Sequence, residues 1–368
     1  MLDSTVPGIR FDENGECQFC KVYDLMDKEY PLNEQTEIRL KQLVDKIKST
    51  GKKQKYDCIL GISGGTDSTY TLYKAVELGL RPLAVHFDNG WNSKLAVQNI
   101  KNACNKLNVD LNTYVVNWPE FRDLQISFLK ASTPDAEIPT DVAIHATLIK
   151  TAAKENVKYI LNGHSFRTEF VMPIGWTYMD GKYISSVQKK FGTQKLDSFP
   201  NFKIKDVLYF NWFKGIKVIP FLNYFEYNKK EAQNELKDKL GWEDYGGHHH
   251  ESIYTKFFQS YYLPVKFGID KRKTALSAQI LSGQTSREEA LKVLETPYEY
   301  DESIVQYTLK KLGLSNSEFE ELMKKDLKSF KDYPTYFRFI EKMKFAVLMA
   351  VKINIIPKLL YYKFFDNK

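Results

Sequence analysis

Cysteine is scarce in this chain, with four residues (Cys17, Cys20, Cys58 and Cys104) among 368. Cys58 falls in an apolar run and Cys104 in a helical pattern, so no disulfide framework is expected and a reducing compartment suits the chain. The polar start, with Pro7 in it, carries no signal-peptide pattern, which predicts a cytoplasmic protein. Long apolar runs are missing too. The best candidate, Phe345–Ile356, is broken by Lys352 and falls short of the roughly 20 residues that a membrane span needs; a packing helix is expected there. No block of like charge stands out. The net charge of +7 is spread along the chain; it fits anionic substrates in general and singles out no nucleic-acid surface. Two phosphate-binding signatures are absent: no Gly-x4-Gly-Lys-Ser/Thr, so no lysine reaches a terminal phosphate from such a loop, and no Gly-x-Gly-x-x-Gly of a dinucleotide fold. There is no internal repeat or low-complexity linker.

The stretch that organises the rest is Tyr56–Ser68, YDCILGISGGTDS. Cys58–Ile62 has the length and composition of a buried parallel strand. It runs into Ser63-Gly64-Gly65-Thr66-Asp67-Ser68, and from Ser68 a helical stripe follows through Leu72, Ala75, Val76 and Leu78. A strand, a glycine turn and a helix N-terminus together present backbone N–H groups and a helix dipole to an anion. The paired glycines permit close approach, and Ser63, Thr66 and Ser68 add hydroxyls.

Further strands are expected at Arg81–Phe87, Asp110–Val116 and Val157–Leu161, with helices at Leu32–Lys53, Ser93–Leu107, Glu120–Lys130 and Thr140–Glu155. Alternation of this kind predicts an α/β fold, a doubly wound parallel sheet whose ligands bind beyond the carboxyl ends of the strands. Asp88 then faces the site after the second strand. After the fourth, Gly163, His164, Arg167 and Glu169 do the same. Residues 171–235 break the rhythm, with strand-like pieces at Lys182–Ser185 and Lys217–Pro220. Gly241–Arg272 is the densest polar cluster. His248, His249 and His250 are internal, so they are no expression tag, and adjacent, so at most two can share an ion. Gly246 and Gly247 allow close approach, while Glu251, Lys266, Asp270, Lys271 and Arg272 suit a polar anionic substrate. The remainder is helical, with Ser286 and Glu289 as a capping box. Three units are expected: a knuckle at 1–30, where Cys17-x-x-Cys20 is half of a tetrahedral zinc site, a sheet domain at 31–170, and a substrate lobe with a helical C-terminal region at 171–368.

SGGTDS resembles the signature of the PP-loop, or N-type, ATP pyrophosphatases, which hold the pyrophosphate of ATP and adenylate a substrate oxygen. Over most of its length the chain is also similar to the N-acetyl sugar amidotransferase family of the WbpG/PseA type. The stretches that carry this are VPGIRFDENGECQFC, AVHFDNGW, NGHSFRTE, IGWTYMDGKYI, GWEDYGGHHHES and LPVKFGIDKRKTALSAQILSG. The resemblance implies an ATP-dependent conversion of an acetamido group on a nucleotide-linked bacterial surface sugar into an acetamidino group. It implies ammonia from a partner glutaminase and a barrel subunit, which resemble the two halves of imidazole glycerol phosphate synthase. Neither Cys58 nor Cys104 has the setting of a glutaminase nucleophile, in keeping with imported ammonia.

By the same resemblance, Ser63, Gly64, Gly65, Thr66, Asp67, Ser68, Asp88, Gly163 and Arg167 bind ATP, with Asp67, Ser68, His164 and His249 catalytic. Asp67 and Glu169 hold Mg²⁺. Tyr245, Gly246, Gly247, Glu251, Lys266, Lys271 and Arg272 contact the sugar. Relatives carry a further Cys-x-x-Cys upstream of the segment equivalent to Leu2–Thr5, and this chain begins past that point, so Cys17 and Cys20 bring only half of a zinc knuckle. Two alternatives stay open: a tRNA-modifying PP-loop enzyme, thiolating or of the lysidine type, and a non-catalytic ATP-binding regulatory protein.

Overall fold

A computed structural model describes residues 1–352 apart from 171, 247–249 and 299, together with 361, 364 and 365. Gly247 and His249, expected in the site, lie outside the described residues. Five strands form one sheet: β1 (Cys58–Gly61), β2 (Pro82–Asp88), β3 (Leu111–Val115), β4 (Tyr159–Asn162) and β5 (Lys217–Pro220). Their order is β3-β2-β1-β4-β5, and every pairing is parallel. The four expected strands are there, and the strand-like piece at Lys217–Pro220 joins them as an edge.

Alternation along the strands sends side chains to two separate cores. Ile59, Leu83, Val85 and Ile160 point into one with Phe121, Leu124 and Phe128 of α5 (Trp118–Ala131) and Ala146 and Ile149 of α6 (Ile138–Lys154). Cys58, Leu60, Ala84 and Leu161 point into the other. That second core takes Val44 and Ile47 of α2 (Glu34–Gly51), Leu72 and Ala75 of α3 (Thr66–Glu77), Ile100 and Ala103 of α4 (Lys94–Leu107), and Leu236 of α9 (Lys229–Leu240). Helices on both faces explain why strand residues of both registers are apolar.

The helix starts follow local chemistry. The Ser93 hydroxyl accepts from Ala96 N and Asn117 Oδ1 from Glu120 N. At the opening of α12 (Arg287–Glu295), the capping box of Ser286 and Glu289 is formed in both directions. One expectation is corrected. Lys182–Ser185 is not a strand but part of α7 (Gly181–Phe191). Asp180 Oδ1 accepts from Tyr183 N at 2.6 Å and starts the helix, and Tyr183, Ile184 and Val187 recur at helical spacing to bury against α5. A two-residue alternation at Tyr183 and Ser185 reads as a strand only when that cap is overlooked.

α1 (Gln18–Glu29) packs Phe19 and Tyr23 against Phe170 and Phe166, which follow β4. The short α8 (Ile204–Val207) continues as a wide, π-type turn over Leu208–Phe213 and leads into β5. No described helix is long and apolar enough to cross a membrane.

Candidate active site

The strand order reverses between β1 and β4, and the loops that leave these two strands meet at the carboxyl edge of the sheet. Ligands bind at such a point in open parallel sheets. After β1 the chain turns through Ser63, Gly64 and Gly65 into α3. Gly64 has φ +81°, and a Cβ on it would lie 2.2 Å from the Ala96 carbonyl oxygen, so only glycine fits. Its own carbonyl accepts from Trp242 Nε1 at 2.9 Å and from Asn99 Nδ2 at 3.3 Å. The turn is therefore fixed from α4 and from the segment after α9. Ser68 Oγ accepts from Ser63 N and lies 3.2 Å from Ser63 Oγ, tying the ends of the turn together. Gly163, after β4, approaches the first turn of α3 so closely that a Cβ would sit 3.0 Å from Asp67 O.

Asp67, in that first turn, is the hub of the charges. Its Oδ1 accepts a short hydrogen bond from the Tyr227 hydroxyl, and its Oδ2 pairs with Lys229 Nζ at 3.2 Å. Burial works against the Lys229 charge, but Asp67, Glu169 and Glu251 outweigh it and hold the ammonium above the usual lysine pKa. Burial, followed by the charge of Asp67, drives the Tyr227 phenol well above its ordinary range, so it stays a donor. Glu251 Oε1 accepts from Ser63 Oγ at 3.4 Å, and the Tyr245 hydroxyl sits against Thr66 at the start of α3. Burial, with Glu251 next, pushes the Tyr245 phenol up as well. The Tyr245 and Glu251 side chains thus cover the anion-facing side of the glycine turn.

With this geometry in place, the first comparison with known proteins bears on the C-terminal region. Residues 251–344 match the family described as LPS biosynthesis protein WbpG-like, C-terminal domain. That part of the chain is similar to this family. Uncharacterized protein MJ1599 of Methanocaldococcus jannaschii is 26% identical over 269 residues, covering 70% of this chain and 80% of that protein. Among solved structures, NMN synthetase from Francisella tularensis is 15% identical, covering 56% of this chain and 95% of its own, at a TM-score of 0.29. NH3-dependent NAD synthetase from Campylobacter jejuni is 15% identical, covering 55% and 83%, also at 0.29. Superpositions that loose say nothing about ligands.

The WbpG-like region opens with Glu251, at the glycine turn, and continues into α10 (Ile253–Phe257), whose wide-turn extension runs over Phe258–Phe267. Beyond it, Lys271 Nζ pairs with Glu137 Oε2 at 3.3 Å, just ahead of α6. Arg272 is held by both Asp270 oxygens and by the carbonyls of Val293 and Thr296, with its guanidinium over the Tyr298 ring. His250 bridges Gly246 O (2.9 Å) and the Tyr298 hydroxyl (3.3 Å). Lys271 and Arg272 therefore belong to a second polar cluster in the WbpG-like region, joined to the first through His250 and Gly246. Lys266 does not join either. Its Nζ donates to the carbonyls of Leu322, Met323 and Lys325, so it caps the end of α14 (Asn316–Lys324), and burial lowers its pKa to about 8.

The other expected residues separate in the same way. Arg167 is 3% exposed, and its guanidinium donates to Asp27 Oδ1 and Tyr30 O at the end of α1 and to Asn223 O; its donors lock α1 to the β4 loop, where a phosphate contact had been expected. His164 Nε2 lies 3.4 Å from Glu169 Oε2, and Glu169 is close enough to act on Lys229. Asp88 Oδ1 accepts from Gly90 N and Asn92 Nδ2, closing the turn after β2. Asp67 and Glu169 offer the hard oxygen donors that Mg²⁺ takes, few enough to leave room for phosphate oxygens and water. Zinc fits less well. Cys17 and Cys20 have sulfurs 3.4 Å apart, with the Cys17 thiol lowered to about 6 by its bond to Cys20, but no group of three potential ligands occurs among the described residues.

Reading the sequence alone missed Tyr227, Lys229, Trp242 and Asn99. Asn228 is recognisable as a cap, since its side chain accepts from Lys230 N and Glu231 N. Nothing local, however, signals that the residues on either side of it reach Asp67, which lies 160 positions away from Tyr227.

Proposed function

We propose that this chain is an AMP- and pyrophosphate-forming ligase that uses ATP to turn the acetamido group of a nucleotide-linked sugar into an acetamidino group. The observation that carries this is the glycine turn at the sheet's reversal point, opening onto the N-terminus of α3 with a partly buried lysine, Lys229, beside it. The turn has no lysine of its own; α9 supplies one from outside. Backbone N–H groups of the first turn, the α3 dipole and Lys229 together suit a pyrophosphate leaving group, whose charge grows as the reaction proceeds.

An amide carbon is a poor electrophile and its oxygen a poor leaving group. In the proposed reaction the acetamido oxygen attacks the α-phosphorus, the bond from that phosphorus to the bridging oxygen of pyrophosphate breaks, and an O-adenylyl imidate forms. Ammonia adds to the imidate carbon, a proton passes to solvent or to a neighbouring base, and the C–O bond breaks, so that AMP leaves with the former acetamido oxygen. In this reaction His164, 3.4 Å from Glu169, and Glu251 move that proton. Asp67 and Glu169 would hold Mg²⁺, which neutralises phosphate charge when bound.

Tyr245 and Glu251 lie on the anion-facing side of the turn, so nucleotide entry requires these two side chains to move aside. Their return would help exclude water, which would otherwise attack the same carbon and regenerate the amide. Ammonia arrives, on this reading, from a partner glutaminase and barrel subunit of the kind named above.

Incubation with ATP, Mg²⁺, an ammonium salt and a panel of acetamido sugars is the test. Mass spectrometry should find one sugar in which NH replaces O, together with pyrophosphate released only when that sugar is present. Pyrophosphate release independent of any sugar would reject the proposal.

A further inference from the structure

We propose that the segment Ile204–Pro220 is a membrane-surface anchor, an aromatic wedge collared by lysines that seats the protein on anionic lipid. In Val207-Leu208-Tyr209-Phe210-Asn211-Trp212-Phe213, every exposed residue except Asn211 is apolar or aromatic. Trp212 is 64% exposed and Phe213 81%, while Leu208, Tyr209 and Val207 are exposed as well. Phe210 alone turns inward, stacking on Phe202 at 6.1 Å. A folded protein in water seldom displays Trp, Tyr, Phe and Leu side by side without a partner.

The wedge is not a loose loop. Ile216 N donates to Phe210 O, Lys214 N to Tyr209 O, and Lys158 Nζ to Lys214 O. Lys217 N donates to Lys158 O, where β5 joins the sheet. The aromatic rings are thus held out from a rigid base, with Tyr209 and Phe213 stacked 5.6 Å apart.

Charge selects the occupant. Between residues 189 and 217 the chain carries seven lysines (Lys189, Lys190, Lys195, Lys203, Lys205, Lys214 and Lys217) against two acids, Asp197 and Asp206. Asp206 is spent on the start of its own helix. Lys214 Nζ lies 5.8 Å from the Tyr209 ring centre, and Lys205 and Lys217 are exposed on either side of the wedge. Indole and phenol rings settle at the headgroup level of a bilayer, and lysines beside them meet anionic phosphates. Such a wedge lies in the interface and does not span it.

The experiment is co-sedimentation of the full chain with vesicles of phosphatidylcholine alone and of phosphatidylcholine mixed with phosphatidylglycerol. The wild type should partition onto the anionic vesicles, more weakly as salt rises, with a blue shift in tryptophan emission that Trp212→Phe abolishes. Trp212→Glu with Phe213→Glu should weaken partitioning about tenfold or more, and each of Lys205→Gln and Lys217→Gln about fivefold; circular dichroism checks that each variant is folded. Absence of partitioning at low salt overturns the proposal, and so does equal partitioning by the double glutamate variant. A concentration-dependent dimer that the same double variant abolishes would assign the face to a second copy of the chain.

Discussion

Asp67 and Lys229 form a pair whose members have different tasks, and substitution separates them. Asp67→Ala should abolish sugar-dependent pyrophosphate release. Lys229→Met should lower it by roughly two to three orders of magnitude, the scale of losing one charged stabiliser of a developing anion. Undiminished turnover in either variant removes that residue from the mechanism. Glu251 leads to a less obvious expectation. Its carboxylate lies 3.4 Å from Ser63 Oγ and repels any anion seated on the turn, so Glu251→Gln should tighten pyrophosphate binding roughly fivefold even as turnover falls. Calorimetry with pyrophosphate reads the first effect apart from the second. Arg167→Ala should behave differently again. It cuts the tie to Asp27 and Tyr30 and should cost about 2 kcal/mol of stability, less than a wholly buried pair because Asp27 is half exposed. The KM for ATP of the surviving enzyme should be unchanged.

One buried acid sets a pH dependence. Asp135 is buried, and burial raises its pKa from 3.8 to about 6, although the Thr133 and Tyr183 hydroxyls work against that. The folded state therefore holds this proton more tightly than the unfolded chain. Stability should fall as pH rises from 3.8 through about 6, by on the order of 1–3 kcal/mol, and stay lower above that window. Asp135→Asn should flatten this slope in urea titrations run across the window. An unchanged slope would place the titrating group elsewhere.

At the scale of elements, the glycine turn rests on a positive φ and a contact that no side chain tolerates. Gly64→Ala would bring a methyl within 2.2 Å of Ala96 O, so α3 and α4 must part. The expected result is a lower melting temperature together with loss of ATP binding, whereas Gly246→Ala, with φ +77° but open space around it, should cost strain alone. The turn was legible in the sequence because strand, glycines and helix are consecutive. So were the first four strands and the capping box at Ser286, each a local pattern. The helix at Gly181–Phe191 was not, since its decisive signal is one cap, Asp180. The role of Arg167 was hidden for another reason. A buried arginine and a phosphate-binding one look alike until the partner, here Asp27 140 residues away, comes into view. Lys229 reaches Asp67 only because α9 packs on α3, a fact of tertiary structure with no trace in either segment.

At the scale of the whole molecule, the sheet's reversal point, the Tyr245 and Glu251 side chains that cover it, and the start of the region similar to the WbpG-like family converge on one edge. That arrangement places the glycine turn beside a polar cluster built from Glu137, Lys271, Arg272, Tyr298 and His250; the proposed reaction needs such a setting, because its two substrates must meet while water is kept out. The account depends on which phosphorus is attacked. The most direct test is turnover of ATP with an acetamido sugar whose acetyl oxygen is isotopically heavy, in the presence of ammonium. Heavy oxygen recovered in AMP, with unlabelled pyrophosphate released alongside it, is the predicted result; formation of ADP and orthophosphate, or label retained in the sugar product, would contradict it.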